Sequence, residues 1–261
     1  MLEYATTCEK AVRAGGAVVL DWIDRFEVSE KGPADLVTQA DLASQDAVSC
    51  IILQTFPDHF ILGEEDQASE PATSRSEFRW IVDPLDGTTN YVHRVPHFSV
   101  SLALERNGEL LVGAVYDPIR EECFTAIAGG GAMLNGRPIH TSEVSELPNA
   151  LAAVGFPPRV ATDAPDVLVF LEALSGCQAI RRTGSAALNL SYIAAGRFDL
   201  YWSFSTKVWD AAAGVLLVRE AGGIVTEPDG SPFTLDDGRF LAAANDPLHK
   251  QLRELVARAG L

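Results

Sequence analysis

Two aspartates three residues apart form the part of this chain best suited to chemistry, the stretch DPLDGTT at residues 83–89. Pro84 fixes its own φ and disfavours helical geometry at Asp83, so we predict that the preceding strand ends at Asp83. Both carboxylates would then project from the end of that strand. Gly87 permits close backbone approach and Thr88 offers an N–H and a hydroxyl at a predicted helix start, which favours a phosphate site.

Carboxylates next to a bound phosphate would repel it unless a cation lies between them. Mg²⁺ fits that place, since it takes carboxylate, phosphate and water oxygens as ligands. The same segment also fits a capped turn without metal, because Asp and Gly are ordinary turn residues. Glu64 follows an apolar strand and Asp210 is predicted at the N-cap of an apolar helix, which favours the metal. Taken singly, Glu64 could be a solvated loop carboxylate and Asp210 a simple cap.

Hydrophobic periodicity in the first half of the chain predicts helices followed by strands. Apolar residues spaced by three or four indicate a helix over residues 2–23 and a second over about 41–55. Alternating patterns then run from 59 to 139, and Asn107-Gly108 is a hairpin signal, which together predict an antiparallel meander. The polar stretch 66–78 within this half is predicted to be mobile without metal.

The second half alternates strand and helix patterns, which predicts a layered α/β arrangement. Asp246 is predicted to cap a final helix whose first residue is Pro247. We expect two lobes packed as one body: residues 1–145, with most of the candidate ligands, and residues 146–261, with Asp210.

Bulk composition narrows the classes of function. With 36 acidic against 20 basic residues, a net charge of -16 and no Lys/Arg block, nucleic acid is an unlikely partner. Charges within the first 13 residues argue against a signal peptide, and no apolar run approaches the roughly 20 residues that a bilayer span needs. The four cysteines form no C-x-x-C pair and are expected to be reduced thiols. These features predict a soluble, cytoplasmic protein without a membrane partner.

Five segments, in this order along nearly the whole chain, resemble the inositol monophosphatase family. They are DLVTQAD at 35–41, GEE at 63–65, WIVDPLDGTTNYVHRVPHFSVSLAL at 80–104, GSAALNL at 184–190 and WDAAAGVLLVREAGG at 209–223. The resemblance implies a layered α-β-α-β-α sandwich, with an antiparallel sheet in the N-terminal lobe and a mixed sheet in the C-terminal lobe. It also implies a homodimeric hydrolase, a Mg²⁺-dependent and lithium-sensitive phosphomonoesterase.

The same resemblance implies two or three Mg²⁺ ions per active site, held mainly by carboxylates. The implied metal ligands are Glu64, Asp83, the carbonyl of Leu85, Asp86 and Asp210. In the mechanism that it implies, the ions cancel the charge of these carboxylates before a phosphate dianion binds.

Catalytic and substrate-side residues are carried over in the same way. Thr88 and Glu64 would orient the attacking water, and Asp41 would be a further acidic group linked to the metal site. The implied substrate-binding residues are Gly87, Thr88, Gly184, Ser185, Ala186 and Ser203.

One of these positions departs from the animal and enteric inositol monophosphatases, which carry a glutamate in contact with inositol seven residues before the W-D aspartate. Ser203 stands there in this chain. Inositol monophosphate is therefore the expected substrate with three alternatives: histidinol phosphate, fructose-1,6-bisphosphate and a 3′-phosphoadenosine nucleotide. A different class of function, a binding partner of the transcription machinery, is the remaining alternative.

Overall fold

The computed structural model describes residues 1–32, 35–66, 76–157, 159–235 and 237–261. Most of the stretch 66–78 that was predicted to be mobile lies outside these ranges. The helices are α1 (Leu2–Trp22), α2 (Gln39–Thr55), α3 (Thr88–Val92), α4 (Pro165–Ala173), α5 (Ala186–Ala194), α6 (Val208–Glu220) and α7 (Asp246–Arg258), with a 3₁₀ turn at Leu147–Asn149. The strands are β1 (Val28–Gly32), β2 (Asp35–Thr38), β3 (Phe60–Gly63), β4 (Phe78–Asp86), β5 (Ser99–Arg106), β6 (Glu109–Asp117), β7 (Glu122–Ile127), β8 (Gly131–Leu134), β9 (Arg137–Ile139), β10 (Leu151–Val154), β11 (Ala179–Arg181), β12 (Leu200–Ser203), β13 (Ile224–Thr226) and β14 (Phe240–Ala243).

The first large sheet has seven strands in the order in which they occur along the chain, β3 to β9. Every neighbouring pair is antiparallel except β3 and β4, which run parallel at one edge. Asn107 and Gly108 form a two-residue turn between β5 and β6, and both have positive φ, 53° and 85°. Such a pair matches the twist of a hairpin, so the predicted meander is confirmed.

Strand β4 does not end at Asp83, and that prediction was wrong. The strand continues through Pro84 to Asp86, and its register with β5 shifts on the way: Asp83 lies opposite Ser101, whereas Asp86 lies opposite Ser99. One extra residue is therefore accommodated in β4 as a bulge. A proline is tolerated at a bulge because its missing N–H is not required by the ladder.

The second large sheet has five strands in the order β11-β10-β12-β14-β13. Strands β11, β10 and β12 are parallel, whereas β14 is antiparallel to both β12 and β13. This sheet is mixed, as predicted, because the chain crosses over through α4 and α5 before it returns in hairpin fashion at the other edge.

Five layers follow from the way the helices cover the two sheets. Helices α1 and α2 pack on one face of the first sheet around Trp80 and Leu102. Helices α5 and α6 lie between the sheets, contacting the first through Ala213 and the second through Val215. Helices α4 and α7 cover the outer face of the second sheet around Trp202. The predicted α-β-α-β-α sandwich is confirmed.

The lobe boundary near residue 145 stays a prediction. The first sheet ends at Ile139 and the second begins at Leu151, on either side of that position. The α5–α6 layer, however, packs against both sheets, so the two halves share this layer of apolar residues.

Helix α7 begins one residue earlier than predicted. Its N-cap is Asn245, whose side chain accepts a hydrogen bond from Leu248 N at 3.1 Å, and Asp246 is the first helical residue. Asn and Asp cap helices equally well, so the sequence alone does not separate the two. None of the helices in the described ranges combines the length and the apolar character that a membrane span requires.

Substituting Gly113 is expected to separate the first sheet from the central helices. A Cβ at this β6 residue would lie 3.0 Å from Cα and 3.2 Å from the carbonyl oxygen of Ala213 in α6, and neither backbone atom can move alone. Gly113→Ala should therefore lower the free energy of unfolding by about 1–3 kcal/mol in urea denaturation.

The control for this prediction is Gly176→Ala, where the nearest atoms lie 3.8 Å from the added Cβ. We expect it to change stability by less than about 0.5 kcal/mol. Equal stability of the two variants would contradict the close approach of β6 and α6.

Candidate metal and phosphate site

Three carboxylates converge where β4 meets the N-termini of α5 and α6. Oxygen atoms of Asp83, Asp86 and Asp210 all lie within 4.8 Å of one another. Asp83 and Asp86 stand at the two ends of the β4 bulge. Asp210 is the third residue of α6, and its carboxylate accepts from the N–H of Lys207 at 3.0 Å. Lys207, not Asp210, is therefore the N-cap of α6, which corrects the prediction from sequence.

Burial and crowding make this cluster electrostatically unfavourable by itself. Burial, followed by repulsion from Glu64, Asp86 and Asp210, raises the pKa of Asp83 well above its usual range. Burial also raises the pKa of Asp86 to about 6 and, with the charges of Asp86 and Glu64, that of Asp210 to about 8. Within the described part of the chain, no Lys or Arg forms an ion pair with any of the three.

A divalent cation suits this donor set. The available ligand atoms are carboxylate oxygens, which Mg²⁺ prefers, and a bound cation would offset the burial and mutual repulsion that raise the pKa values of Asp83 and Asp210. Three of the five residues predicted as ligands are thus brought together, and their oxygen atoms fit the ion that the sequence predicted.

The segment at the start of α5 holds Asp86 with three donors. The hydroxyl of Ser185 and the N–H groups of Ala186 and Ala187 donate to its carboxylate, the latter two at 3.1 and 2.9 Å. Ser185 also caps α5 by accepting from the N–H of Leu188 at 3.2 Å. This hydroxyl is therefore engaged both as donor and as acceptor, and it supports Asp86, whereas the predicted contact of Ser185 with substrate stays a prediction.

Thr88 connects the β4 bulge to α2. Its hydroxyl lies 3.1 Å from Asp41 Oδ1 and 3.0 Å from the carbonyl oxygen of Leu85. Asp41 is fully buried, and its other oxygen accepts from the N–H and the hydroxyl of Thr38 at 2.8 and 2.6 Å. Burial raises the pKa of Asp41, an effect that the bonds from Thr38 and Thr88 oppose. Asp41, Leu85 and Thr88 are thereby brought together, as predicted.

Glu64 lies directly after β3 and next to the cluster, but outside the group of three. Its N–H donates to the carbonyl of Val82 at 3.1 Å, which continues the parallel β3–β4 pairing up to the residue before Asp83. Its charge contributes to the raised pKa values of Asp83, Asp86 and Asp210.

Two of the remaining substrate-side candidates, Gly87 and Gly184, lie in loops next to these carboxylates, and the third, Ser203, lies in β12. Gly87 has φ of 98°, and a Cβ there would lie 3.2 Å from the carbonyl oxygen of Gly184, so the two predicted loops touch. Ser203 is buried at the end of β12, two residues from Tyr201 and therefore on the same face of the strand. Burial raises the pKa of Tyr201, and the nearby negative charges of Asp86 and Asp210 raise it further.

The sequence analysis missed two buried polar residues near the site, Thr38 and Tyr201. The T-x-x-D spacing of Thr38 and Asp41 is a capping-box signal that could have identified Thr38. Tyr201 lies in an apolar strand pattern, and nothing in its neighbourhood along the sequence marks it as part of the site.

Comparison with known proteins agrees with this geometry. The sequence profile of the inositol monophosphatase family matches residues 1–260. The chain belongs to the inositol monophosphatase family. It is 41% identical to the Nus factor SuhB of Pseudomonas aeruginosa over an alignment of 239 residues, and this alignment covers 89% of this chain and 88% of that protein. It is also 41% identical over 249 residues to the inositol-1-monophosphatase of Rhizobium meliloti, which covers 94% of this chain and 92% of the relative.

Solved structures of family members share the fold. The extragenic suppressor protein suhB from Bartonella henselae superposes with a TM-score of 0.90 at 36% identity, covering 96% of this chain and 97% of that one. The inositol monophosphatase from Anabaena superposes with a TM-score of 0.86 at 38% identity, covering 98% and 96%.

The raised pKa values predict how pH acts on stability without metal. A carboxyl whose pKa is higher in the folded protein than in the unfolded chain stabilises the fold while protonated, and that stability is lost as pH rises through the folded pKa. For Asp210 this loss extends from the ordinary carboxyl pKa near 4 up to about pH 8, where it is complete. With EDTA present, the free energy of unfolding should therefore fall by an amount on the order of 1 kcal/mol between about pH 6.5 and about pH 8.5, and the melting temperature should fall with it.

Asp210→Asn is the comparison for this prediction, because an amide does not titrate. The variant should lose less stability over the same pH interval, and saturating Mg²⁺ should restore stability at high pH only in the unsubstituted protein. Identical pH profiles for the two proteins in EDTA would show that Asp210 does not carry the repulsion assigned to it.

Proposed function

We propose that the protein is a Mg²⁺-dependent phosphomonoesterase that hydrolyses a small phosphorylated alcohol, with inositol monophosphate as the expected substrate. The observation that supports this most strongly is the group of three carboxylates within 4.8 Å, two buried and one half-buried, without a basic ion-pair partner in the described chain, in a member of this family. An acidic cluster of this kind has no value for binding a phosphate dianion until cations neutralise it.

The residues that would hold Mg²⁺ are Glu64, Asp83, the carbonyl of Leu85, Asp86 and Asp210. When bound, the ions supply Lewis-acid polarisation of the phosphate and increase the acidity of water. The carboxylate oxygens of the three aspartates would be held in place before a metal ion binds. Asp83 lies at the β4 bulge, Asp86 accepts from the start of α5, and Asp210 accepts from the N-cap of α6.

Thr88 and Asp41 are proposed to form a hydrogen-bonded chain that accepts a proton from the attacking water. The Thr88 hydroxyl has an acceptor already in place at Asp41 Oδ1, 3.1 Å away, so its own lone pairs can accept from a water molecule. Asp41 is in turn held by Thr38, which keeps that acceptor fixed. Together with Glu64, Thr88 would orient the water for in-line attack on phosphorus.

Phosphate contacts are proposed for the backbone N–H of Gly87 and Thr88, next to the cluster. The positive φ of Gly87, 98°, turns the chain directly after Asp86, a conformation that a residue with a side chain rarely adopts. The alcohol would then face Gly184, Ala186 and Ser203, while Ser185 supports Asp86 from behind.

Substrate choice depends on the alcohol side. Ser203 is short, uncharged and 3% exposed, so it offers less to a polyol than the glutamate that the animal enzymes carry. Histidinol phosphate, fructose-1,6-bisphosphate and a 3′-phosphoadenosine nucleotide are accordingly the alternative substrates. A cytoplasmic homodimer remains part of the proposal.

A role as a binding partner of the transcription machinery is the second candidate. It is supported by relatives near 40% identity that are named Nus factor SuhB, from Pseudomonas aeruginosa and Salmonella typhimurium. The two functions need not share residues, since the candidate ligands Asp83, Leu85 and Asp86 are buried and a partner protein would bind exposed ones.

Asp86→Asn tests the enzymatic proposal. It removes one charge from the cluster while leaving an oxygen that can accept from α5, so the fold should remain and turnover should fall roughly 100-fold or more. Phosphate release and far-UV circular dichroism are the measurements. Asp246→Asn, a substitution of an exposed aspartate paired with Lys250, is the matched control and should retain full turnover.

A substrate panel distinguishes the alternatives. Phosphate release from inositol-1-phosphate, histidinol phosphate, fructose-1,6-bisphosphate and 3′-phosphoadenosine 5′-phosphate would be measured with Mg²⁺, with EDTA and with added Li⁺. We expect turnover that requires Mg²⁺ and is inhibited by Li⁺, strongest on inositol-1-phosphate. Folded protein that releases phosphate from none of the four would contradict the proposed substrate class and favour the binding role.

A further inference from the structure

Asn90 in α3 joins two loops that are far apart in sequence. Its side-chain nitrogen donates to the carbonyl oxygen of His97 at 2.7 Å and to that of Thr183 at 2.8 Å. Both acceptors are carbonyls, so the group between them must supply two protons from one nitrogen. A primary amide does this, whereas an aspartate offers only acceptors and an alanine offers nothing.

The contact between Asn90 and the loop that contains Thr183 and Gly184 leaves no room for a side chain at position 184. Gly184 has φ of 88°, and a Cβ built on it would lie 2.9 Å from Asn90 Nδ2 and 3.1 Å from Oδ1. On the other side, a Cβ at Gly87 would lie 3.2 Å from the Gly184 carbonyl. The two loops therefore meet backbone to backbone, with the Asn90 amide fixing their separation.

The loop that Asn90 holds is the one that orients Asp86. Residues 185–187 follow directly after Thr183 and Gly184, and they provide the three donors to the Asp86 carboxylate. Asp86 and Asn90 lie four residues apart in one segment and bind the same remote segment at two points. A displacement of the Thr183 carbonyl would move all three donors together.

We propose that Asn90 is a positioning residue of this site, which sets the orientation of the Asp86 carboxylate and of the Ala186 N–H by fixing the segment 183–187. Its effect on metal binding and turnover rests on the proposed function, whereas its effect on the segment does not. Asn90 itself contacts no reacting atom in this arrangement, because both its protons are directed at main-chain carbonyls.

Loss of Asn90 should loosen one local segment and not the whole fold. In Asn90→Ala the carbonyls of His97 and Thr183 lose their donor, and in Asn90→Asp a carboxylate faces both of them. The aspartate variant should therefore be the more severe, although it has nearly the same shape.

Asn245 provides a matched control, since it is also an asparagine whose side-chain nitrogen donates to two carbonyls. These are Val144 at 2.7 Å and Ser142 at 3.4 Å. It lies beyond the end of β14 that pairs with Leu200, whereas Ser203 pairs with the opposite end. Asn245→Ala should thus lower the melting temperature without reaching the site.

The first experiment is amide hydrogen exchange of the protein in EDTA, with residues 183–190 followed by mass spectrometry or NMR. We expect exchange at Ala186 and Ala187 to accelerate roughly tenfold or more in Asn90→Ala, still faster in Asn90→Asp, and not in Asn245→Ala. Unchanged exchange in both Asn90 variants would overturn the proposal, whatever the wild-type activity proves to be.

The second experiment is titration of the metal-free variants with MgCl₂ by calorimetry, with kcat and KM measured in parallel. The Mg²⁺ dissociation constant should rise about 10-fold to 100-fold in Asn90→Ala, with a lower kcat, and should stay within about twofold in Asn245→Ala. Lower thermal stability with normal Mg²⁺ binding and normal kcat would show that Asn90 is only structural.

Gly184→Ala disturbs the same contact from the other loop, and it serves if Asn90→Ala does not fold. It should reproduce the faster exchange at Ala186 and Ala187. A wild-type protein that neither binds Mg²⁺ nor releases phosphate would refute the proposed function, and the exchange data would still decide the role of Asn90.

Discussion

Repulsion among closely spaced, buried and half-buried carboxylates is the constraint on which the rest of this structure depends. Three of them converge within 4.8 Å, and their pKa values are raised by burial and by one another. Such a group persists only where the surrounding fold holds each member in place. Here the β4 bulge holds Asp83, the start of α5 holds Asp86, and the first turn of α6 holds Asp210. The fold thus holds three mutually repelling carboxylates together, and binding of cations would reduce that repulsion.

The layered architecture explains how three separate elements can be fixed so firmly. Helices α5 and α6 are packed between the two sheets. The first residues of α5 donate to Asp86 at the β4 bulge, and Asp210 in the first turn of α6 lies within 4.8 Å of it. Small residues, such as Gly113 against Ala213, allow the central layer to lie close against the first sheet. Rigid elements determine a site more accurately than loops do, which suits a cluster that must accept ions without rearrangement.

Much of this site could be predicted from the sequence, because its signals are local. The DPLDGTT stretch and the W-D pair at 209–210 each indicate a metal site from a few adjacent residues, and the Asn107-Gly108 pair correctly predicted the hairpin. The errors were also local. Pro84 looked like the end of a strand but lies in a bulge, and Asp210 looked like a cap but is the third residue of its helix. Contacts such as Asn90 with Thr183 join residues 93 positions apart, and no local pattern encodes them.

Anomalous diffraction from crystals soaked in Mn²⁺ would test the central claim most directly. Mn²⁺ accepts the same oxygen ligands as Mg²⁺ and can be located by its own X-ray absorption edge. We expect at least one strong peak within coordination distance of Asp83, Asp86 and Asp210, and its loss in crystals of Asp86→Asn. Fully ordered crystals with no peak there at millimolar Mn²⁺, or with peaks only at surface carboxylates, would contradict the view that this cluster exists to hold metal ions.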